Sequence, residues 1–359
     1  MRALVAHLPA AAPCATGVAV AVRHEGRERL LVGGVTDRGG RYPVTGRTRF
    51  EIGSLTKTFT GLLLAEMAAR GEVDPADPVR RHLPPGAAPG LGRAVTLESL
   101  ATHTSGLPRL PPGLLLRALA RVRTNPYQGF GPDRVAGALR RTRPRPAGRY
   151  RYSNYGVALL GLALAGAAGR PYEELLTARV LRPLGLADTG FTPHPQVTGY
   201  LRGRPRPPWE MVGLAAAGGL RSSATDLLRH LTAHLSPPAG SLRTALAEVV
   251  RPRVSAGDHD VCLVWDVRRR SGRDLLFHSG GTRGCTAFVA FSPQTGTAFA
   301  ALANAGPTVE STFVQRSYEA AWNLVERADV DSAPVWPAEH APDWPENTPT
   351  GPPGREPAC

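Results

Sequence analysis

Lysine is almost absent from this chain of 359 residues. Of its 43 lysine and arginine residues, only Lys57 is a lysine. Arginine keeps its charge in a protein, whereas a lysine ammonium can lose its proton when it is desolvated or lies near other cations. We therefore expect the single lysine at a position where arginine could not perform the function. Proton transfer is such a function.

Cysteines and long apolar runs are also scarce. The four cysteines are Cys14, Cys262, Cys285 and Cys359. They form no C-x-x-C pair and no metal-ligand spacing, so we expect reduced, mostly buried thiols and neither a metal nor another cofactor. No stretch of 18 apolar residues occurs, and the short apolar start at residues 3–6 is interrupted at once by His7. The sequence as given therefore predicts a cytoplasmic protein that does not span a membrane.

The net charge of +14 is the one compositional feature that suggests a nucleic acid or an acidic membrane as partner. The arginines are scattered along the chain, however, with few aromatic residues between them, and no nucleic-acid-binding motif is present. We expect a small-molecule partner instead: an ester, an amide or a short peptide. Composition leaves the oligomeric state open.

Ser54 and Lys57 form the first motif of chemical interest. In a helix, residues three positions apart share one face, so Lys57 would lie beside the Ser54 hydroxyl. A serine hydroxyl is a poor nucleophile without a neighbouring base. A helix start also provides free backbone N–H groups for a developing oxyanion. The alternative is an ordinary helix start with Ser54 as N-cap, because the S-x-x-K pattern is common by chance.

Tyr152 and Asn154 form the second motif, directly before an apolar segment at residues 155–168. Both side chains can point into one cleft from a loop that precedes a buried helix. Tyr152 could relay protons if a cation such as Lys57 stabilises its phenolate, and Asn154 could bind an amide or a carbonyl group. A capping role would equally explain an asparagine at a helix start.

The third motif is His278-Ser279-Gly280-Gly281, between two predicted strands. Its glycines would let a substrate backbone lie against the strand and would leave the Gly281 N–H free to donate. A plain β-bulge or turn explains the glycines equally well. A further histidine, His103, follows a predicted short helix at residues 96–102, and we interpret it as a hydrogen-bonding strut in preference to a catalytic group.

The order of predicted elements indicates an α+β fold. Strand patterns occur at residues 17–23, 29–35, 48–52, 261–267, 275–279, 286–291 and 297–304, with helical patterns between them and a closing helix at residues 311–327. Strands at both ends of a helical middle predict one antiparallel sheet flanked by helices, with an inserted, mainly helical lobe and the active site between them.

We expect one domain at residues 7–328. Its α/β lobe would comprise residues 7–75 and 250–328, and its helical lobe residues 76–249. The proline-rich segment at residues 329–359 has no periodic pattern and is predicted to be disordered.

Taken together, the three motifs resemble those of the serine β-lactamase and penicillin-binding-protein superfamily. The likeness is closest to class C β-lactamase-like proteins, which include D-alanyl-D-alanine carboxypeptidases and related carboxylesterases. The family order of S-x-x-K, Y-x-N and [K/H]-[S/T]-G appears here beginning at Ser54, Tyr152 and His278. Residues 102–108 and 218–220 also resemble family landmarks, so the resemblance spans about residues 15–325.

The resemblance implies a role for each motif. Ser54 would be the acylated nucleophile, Lys57 would help to deprotonate it, and Tyr152 would take or return the proton of the leaving group. Asn154 would hold the substrate amide, and the N–H groups of Ser54 and Gly281 would form the oxyanion hole.

The third motif departs from the β-lactamase pattern. His278 stands where β-lactamases have lysine, and a largely neutral imidazole would bind a substrate carboxylate less firmly. We therefore expect hydrolysis of an ester or amide through an acyl-enzyme, in the manner of the esterase and D-amino-acid peptidase relatives. The alternatives are a β-lactamase or D-alanyl-D-alanine carboxypeptidase proper, and a penicillin-binding fold that serves as a non-catalytic scaffold.

Overall fold

The computed structural model describes residues 5–114, 125, 127, 129–193 and 195–328. The segment expected to be disordered, residues 329–359, lies outside these residues. The strands are β1 (Gly17–His24), β2 (Arg27–Gly34), β3 (Phe50–Glu51), β4 (Gly199–Leu201), β5 (Arg204–Arg206), β6 (Arg221–Ser222), β7 (Val254–Ser255), β8 (Asp260–Val261), β9 (Asp266–Arg270), β10 (Arg273–Gly281), β11 (Thr286–Ser292) and β12 (Thr297–Ala303).

The α-helices are α1 (Leu8–Ala11), α2 (Thr56–Ala69), α3 (Leu97–Ala101), α4 (Pro132–Arg141), α5 (Asn154–Ala168), α6 (Tyr172–Leu176), α7 (Ala215–Gly218), α8 (Ala224–Leu235), α9 (Ser241–Glu248) and α10 (Phe313–Arg327). Short 3-10 turns occupy Gly53–Leu55, Val79–His82 and Val212–Leu214, and a π-helical turn occupies Thr177–Leu181.

Eight strands form the main sheet, in the order β2-β1-β12-β11-β10-β9-β8-β7, with every pair antiparallel. Strands from both ends of the domain thus lie side by side. Alternate residues of β1 explain how the sheet is covered on both faces: Ala19 and Ala21 join one apolar cluster, whereas Val18 and Val20 join the other. The predicted antiparallel sheet flanked by helices is confirmed.

Helix α2 lies inside the larger of these two apolar clusters. All of its residues from Thr56 to Met67 are buried, so the helix is enclosed on every side. It packs against α5, α7 and α9, while α1 and α10 cover the opposite face of the sheet. The larger cluster runs continuously through the sheet and the central helices. The division into an α/β lobe and a helical lobe at the expected residues stays a prediction.

The strand that leads into the helix start of Ser54 is not part of the main sheet. The predicted strand at residues 48–52 is only the two residues of β3, which pair with β6 in a separate two-stranded sheet. The Ile52 N–H then donates to the Leu220 carbonyl at 3.2 Å. Backbone hydrogen bonds to β6 and to Leu220, in the motif at residues 218–220, therefore hold the chain immediately before Ser54.

The predicted strand at residues 261–267 is also wrong in part, because it divides into β8 and β9. Between them the backbone turns inward, with Val264 at a positive φ of 76°. The Val264 N–H donates to the Ala101 carbonyl at 3.1 Å, and the Leu263 N–H donates to the Val249 carbonyl at 3.2 Å. The apolar run resembles a buried strand, but its backbone bonds go to the helical region.

The sequence Ser223-Ala224-Thr225-Asp226 at the start of α8 has the spacing of a capping box, but only half of the box is present. The Ser223 hydroxyl accepts a hydrogen bond from the Asp226 N–H at 3.2 Å. The Asp226 carboxylate does not return to the Ser223 backbone and instead accepts from the Asp188 N–H and the Thr189 hydroxyl. The Asp226 carboxylate thus bonds to a segment distant in sequence and not to the start of its own helix.

Candidate active site

Ser54 lies in the 3-10 turn between β3 and α2, partly exposed, while its neighbours in the turn are buried. The end of β10 presses against this turn. A Cβ atom at Gly53 would lie 2.6 Å from the Gly281 carbonyl oxygen, and one at Gly280 would lie 2.0 Å from the Ile52 carbonyl oxygen. Side chains are excluded at both positions, so the glycines allow the third motif to lie directly beside Ser54.

Lys57 is fully buried beneath Ser54. Its Nζ lies 2.8 Å from the Ser54 Oγ and donates to the Ala217 carbonyl oxygen at 2.7 Å. Burial lowers the pKa of Lys57 well below its usual value, and the positive charge of Arg109 acts in the same direction. No carboxylate forms an ion pair with Lys57 in the described residues, so the site favours a neutral amine whose lone pair can accept a proton.

Tyr152 completes a group of three side chains around one oxygen atom. Its hydroxyl donates to the Ser54 Oγ at 2.7 Å, and the Lys57 Nζ lies 5.0 Å from the centroid of its ring. The Ser54 hydroxyl therefore lies between two groups that can exchange protons with it.

His103 lies behind this group. Its ring centroid is 4.6 Å from that of Tyr152, and its Nδ1 accepts a hydrogen bond from the Ser153 N–H at 3.2 Å. The Arg151 N–H donates to the His103 carbonyl at 2.8 Å, which ties the two loops together. These contacts agree with the interpretation of His103 as a strut that supports the Tyr152 loop.

Asn154 is not the cap of helix α5. Ser153 fills that position, with its hydroxyl accepting from the Gly156 N–H at 2.8 Å and donating to the Pro108 carbonyl at 2.7 Å. The amide of Asn154 is thereby left for another partner. Its Oδ1 is buried and has no hydrogen-bond partner within the described part of the chain. An unpaired buried acceptor two residues after Tyr152 is suited to a substrate N–H.

The direction of the Gly281 N–H follows from the strand register. Gly281 is opposite Thr286, and the next residue, Thr282, donates its N–H to the Cys285 carbonyl at 2.9 Å. Hydrogen-bonded and non-bonded pairs alternate in an antiparallel ladder, so the Gly281 N–H points away from β11. On that side β9 pairs with β10 only as far as Phe277, and the Ser54 turn lies beyond.

His278 is buried on the same strand. Its Nδ1 lies 2.7 Å from the Ser279 carbonyl oxygen, and because a carbonyl only accepts, the proton of the neutral ring is on Nδ1. Burial and, to a smaller extent, positive charge at Lys57 lower the pKa of His278 to about 3. His278 is therefore neutral near pH 7, with an unprotonated Nε2.

Two neighbours of the site have no signature in the sequence. The Ala217 carbonyl binds Lys57, yet a backbone carbonyl carries no residue-type signal. The Cζ of Arg109 lies 5.3 Å from the Tyr152 ring centroid, but Arg109 is one arginine among many. Only the motif at residues 218–220, next to Ala217 in the chain, indicated that this loop is near the site.

Comparison with known proteins agrees with this arrangement of motifs. Residues 1–321 match the Beta-lactamase family.

The chain belongs to the Beta-lactamase family.

Several characterised proteins of this family are similar to the chain in sequence. The D-alanyl-D-alanine-carboxypeptidase/endopeptidase AmpH of Escherichia coli K12 is 33% identical over 228 residues, which cover 62% of this chain and 58% of that protein. A β-lactamase of Providencia stuartii is 33% identical, over 60% of this chain and 54% of its own length. These alignments thus span little more than half of the relatives' length. A β-lactamase of Lysobacter lactamgenus is 27% identical over 77% of this chain and 79% of its own.

Solved structures agree on the fold of this Beta-lactamase family member. A class C β-lactamase from Rhodobacter sphaeroides superposes with a TM-score of 0.78 at 24% identity, over 91% of this chain and 100% of that one. The D-alanine carboxypeptidase AmpC of Burkholderia cenocepacia gives a TM-score of 0.76 at 24% identity, over 90% of this chain and 97% of that one. The family resemblance indicated by the motifs and the fold class predicted from the order of elements are both confirmed.

Within the ranges that the structure describes, none of the helices has both the length and the apolar character needed to cross a bilayer.

Proposed function

We propose that this protein is a serine hydrolase that cleaves an ester or amide through an acyl-enzyme on Ser54. One observation carries the proposal: the Ser54 Oγ lies 2.8 Å from the Nζ of a buried Lys57 and 2.7 Å from the Tyr152 hydroxyl. A hydroxyl in this setting can lose its proton as it attacks, because an acceptor is already within hydrogen-bond distance.

Acylation follows from these contacts. The Ser54 Oγ attacks the substrate carbonyl carbon while its proton passes to the neutral amine of Lys57. The carbonyl oxygen becomes an oxyanion, which the N–H groups of Ser54 and Gly281 stabilise. Each such donor contributes about 2.7–4 kcal/mol to the transition state in comparable sites. The bond to the leaving group then breaks, and the leaving group takes a proton from Tyr152, which regains one from Lys57.

Deacylation uses the same groups in reverse. A water molecule gives a proton to the Tyr152 and Lys57 pair and attacks the acyl carbon. The oxyanion hole stabilises the second tetrahedral intermediate, and the Ser54 Oγ leaves with the proton restored. Asn154 holds the substrate through its unpaired Oδ1, and Ser279 and Gly280 lie along the strand edge where the substrate backbone would bind.

The chemistry at His278 favours an esterase or D-amino-acid peptidase over an efficient β-lactamase. A neutral ring with its proton engaged by the Ser279 carbonyl supplies no positive charge for a substrate carboxylate. A β-lactamase or D-alanyl-D-alanine carboxypeptidase remains the second candidate, because the similar curated proteins are named for those activities. We propose a small ester, amide or short peptide as substrate; the cytoplasmic location stays a prediction.

The proposal is tested by reacting the protein with a fluorophosphonate probe and, separately, with a labelled penicillin, followed by intact-mass measurement. We expect one adduct on the parent protein and none on Ser54→Ala, with unchanged circular dichroism. Ser255→Ala, at an exposed position of β7, is the matched control and should label as the parent does.

Two results would contradict the proposal. An adduct that persists in Ser54→Ala would place the nucleophile elsewhere. A parent protein that reacts with neither probe would favour the scaffold alternative. If the parent does label, comparing p-nitrophenyl esters, D-amino-acid peptides and nitrocefin then identifies the substrate class.

A further inference from the structure

Two buried hydroxyl groups adjoin the short helix that binds Lys57. The Thr60 hydroxyl donates to the Ala216 carbonyl at 2.7 Å, and the Tyr172 hydroxyl lies 2.7 Å from the same Thr60 oxygen. Ala216 immediately precedes Ala217 in α7, and the Ala217 carbonyl accepts the hydrogen bond of Lys57 at 2.7 Å. The hydroxyl chain and the Lys57 amine are therefore bonded to successive carbonyls of one helix.

The direction of each hydrogen bond in this chain follows from the acceptors. A carbonyl only accepts, so the single proton of the Thr60 hydroxyl is directed at Ala216 or at the more distant Thr56 carbonyl, 3.3 Å away. In either case the Thr60 oxygen accepts from Tyr172. Burial raises the pKa of Tyr172, so the phenol keeps its proton and can donate. The chain thus runs from Tyr172 through Thr60 to the backbone.

The surroundings of Ala216 leave α7 little room to move. Lys57 and Thr60 are three residues apart, so their side chains leave the same face of α2 and meet α7 together. Tyr172 begins α6, and its ring lies on another side of Ala216. A Cβ atom at Gly161 of α5 would lie 2.3 Å from the Ala216 Cβ and 3.2 Å from the Tyr172 Cδ2. Ala216 is thereby enclosed by α2, α5 and α6.

The Ala217 carbonyl orients the Lys57 amine. A neutral amine has two N–H groups and one lone pair, and one of these N–H groups donates to Ala217. This contact restricts rotation at Nζ while the Ser54 hydroxyl lies 2.8 Å away. A shift of α7 would turn the amine, and misalignment of a proton acceptor by a fraction of an ångström lowers the rate of proton transfer.

We propose that Thr60 and Tyr172 are positioning residues: their hydroxyl chain fixes the carbonyls of α7 and thereby aims the Lys57 amine at Ser54. This inference rests on the proposed function, because the aim of the amine affects a rate only if Ser54 is the nucleophile. The orientation of Lys57 itself can be measured without any reaction.

A second buried chain of the same composition supplies matched controls. The Tyr155 hydroxyl lies 3.1 Å from the Thr142 oxygen, and the Thr142 hydroxyl donates to the Ala138 carbonyl at 2.8 Å. Both residues are buried, and this chain ends on α4 and not on α7. The test variants Thr60→Val and Tyr172→Phe are therefore compared with Thr142→Val and Tyr155→Phe, which remove the same hydroxyls at a comparable depth.

The first readout is the rate of Ser54 labelling by the fluorophosphonate probe. We expect the limiting rate at saturating probe to fall about 10-fold in Thr60→Val, which leaves the Ala216 carbonyl unpaired, and about 3-fold in Tyr172→Phe, which keeps that bond. The probe concentration that gives half of the limiting rate should stay within about twofold of the parent value, because both hydroxyls are buried. The control variants should keep the limiting rate within about twofold.

The second readout requires no reaction at Ser54. Lys57 is the only lysine, so protein labelled with carbon-13 at the lysine Cε gives a single lysine methylene signal in an NMR spectrum. An amine held by the Ala217 carbonyl should show two distinct Hε shifts and a high order parameter. We expect the shifts to converge and the order parameter to fall in Thr60→Val and Tyr172→Phe, and to stay at the parent values in both controls.

Three results would overturn the inference: equal losses of limiting rate in test and control variants, parent-like rates in both test variants, and an unchanged Lys57 signal in both. If Thr60→Val does not fold, Tyr172→Phe decides, because it keeps the ring that packs on Ala216. If the parent reacts with neither probe while its Lys57 signal responds as expected, the positioning of Lys57 stands and the proposed function fails.

Discussion

The two sides of helix α2 hold ionisable groups that are buried equally and differ in their partners. On one side Lys57 contacts the Ser54 hydroxyl and the Ala217 carbonyl. On the other side His230 and His234 pack among aromatic rings: His230 stacks on Phe59 with 4.2 Å between centroids, and His234 on Phe291 with 4.7 Å. Burial lowers the pKa of all three groups.

The difference lies in what each group can reach. Neither ring nitrogen of His234 makes a hydrogen bond of normal geometry in the described residues, and the Nδ1 of His230 is also unpaired. Within the described residues the hydroxyl that His230 contacts is the buried one of Thr58, at 3.4 Å, whereas Lys57 contacts the partly exposed Ser54. A lowered pKa thus indicates chemistry only where a reactive partner and a cleft accompany it. The histidine side of α2 is core packing, at a cost in stability that depends on pH.

Tyr152→Phe, which keeps the ring and removes the hydroxyl that reaches Ser54, should have a large effect on catalysis and would break the comparison if it did not. We expect kcat to fall about 10²–10⁴-fold, as for loss of a general acid–base group, with a much smaller change in substrate affinity. Steady-state kinetics on a p-nitrophenyl ester measures both.

Tyr150→Phe is the matched control, because this tyrosine packs on His103 and not on Ser54. Its kcat should stay within about twofold of the parent value. An unchanged kcat in Tyr152→Phe would make Tyr152 structural and remove one of the two proton partners of Ser54.

His278→Lys should have an intermediate effect, on preference more than on rate. A lysine there would offer an ammonium where the parent has a neutral ring, so activity on carboxylate-bearing substrates, β-lactams included, should rise about 10-fold relative to neutral esters. The measurement is the ratio of kcat/KM for nitrocefin to that for p-nitrophenyl butyrate. His278→Gln adds no charge and serves as the control; an equal ratio in all three proteins would mean that position 278 does not face the substrate.

The smallest expected effect is on stability and comes from His230 and His234, which lie on α8. The pKa of His234 lies well below that of an unfolded histidine, although the backbone of Leu246 opposes the shift, and the pKa of His230 is lowered to about 3. Below about pH 6.5 the unfolded chain therefore binds protons that the folded protein does not, and stability is lost as the pH falls. Each such histidine lowers the free energy of unfolding by up to about 1.4 kcal/mol for each pH unit below that value.

His234→Leu cannot titrate, so its free energy of unfolding should fall less steeply between pH 7 and pH 5 than that of the parent. Urea unfolding at several pH values measures the slope. His7→Leu, at an exposed position, controls for the loss of one histidine. Identical slopes in the parent and His234→Leu would mean that His234 is protonated in the folded protein.

The sequence predicted the members of the site better than the contacts that hold them. Ser54, Lys57 and Tyr152 were recognisable because few residue types can perform the chemistry, and the glycines beside His278 indicated close backbone approach. The freedom of Asn154 was not predictable, since it depends on Ser153 taking the cap. The Ala217 carbonyl was not predictable either, because it reaches Lys57 from a distant part of the chain.

In the fold, too, the buried segments were easier to predict than the partners of their backbone groups. Apolar runs predicted the central strands well because both faces of the sheet are buried, as at Val20 and Ala21 of β1. The pattern failed at residues 262–265, where an equally apolar run bonds to helices instead of a neighbouring strand. Local pattern specifies burial, whereas the partner of a buried backbone is set by the rest of the fold.

The central claim, that Lys57 accepts a proton, is tested most directly by the rate of Ser54 acylation in Lys57→Arg and Lys57→Met. The measurement is single-turnover labelling by the fluorophosphonate probe, with circular dichroism to verify folding. Arginine keeps the positive charge but does not release its proton. We predict that both variants are acylated at rates near zero, with Lys57→Arg nearly as impaired as Lys57→Met. Substantial acylation in Lys57→Arg would show that charge alone is sufficient and would contradict the account.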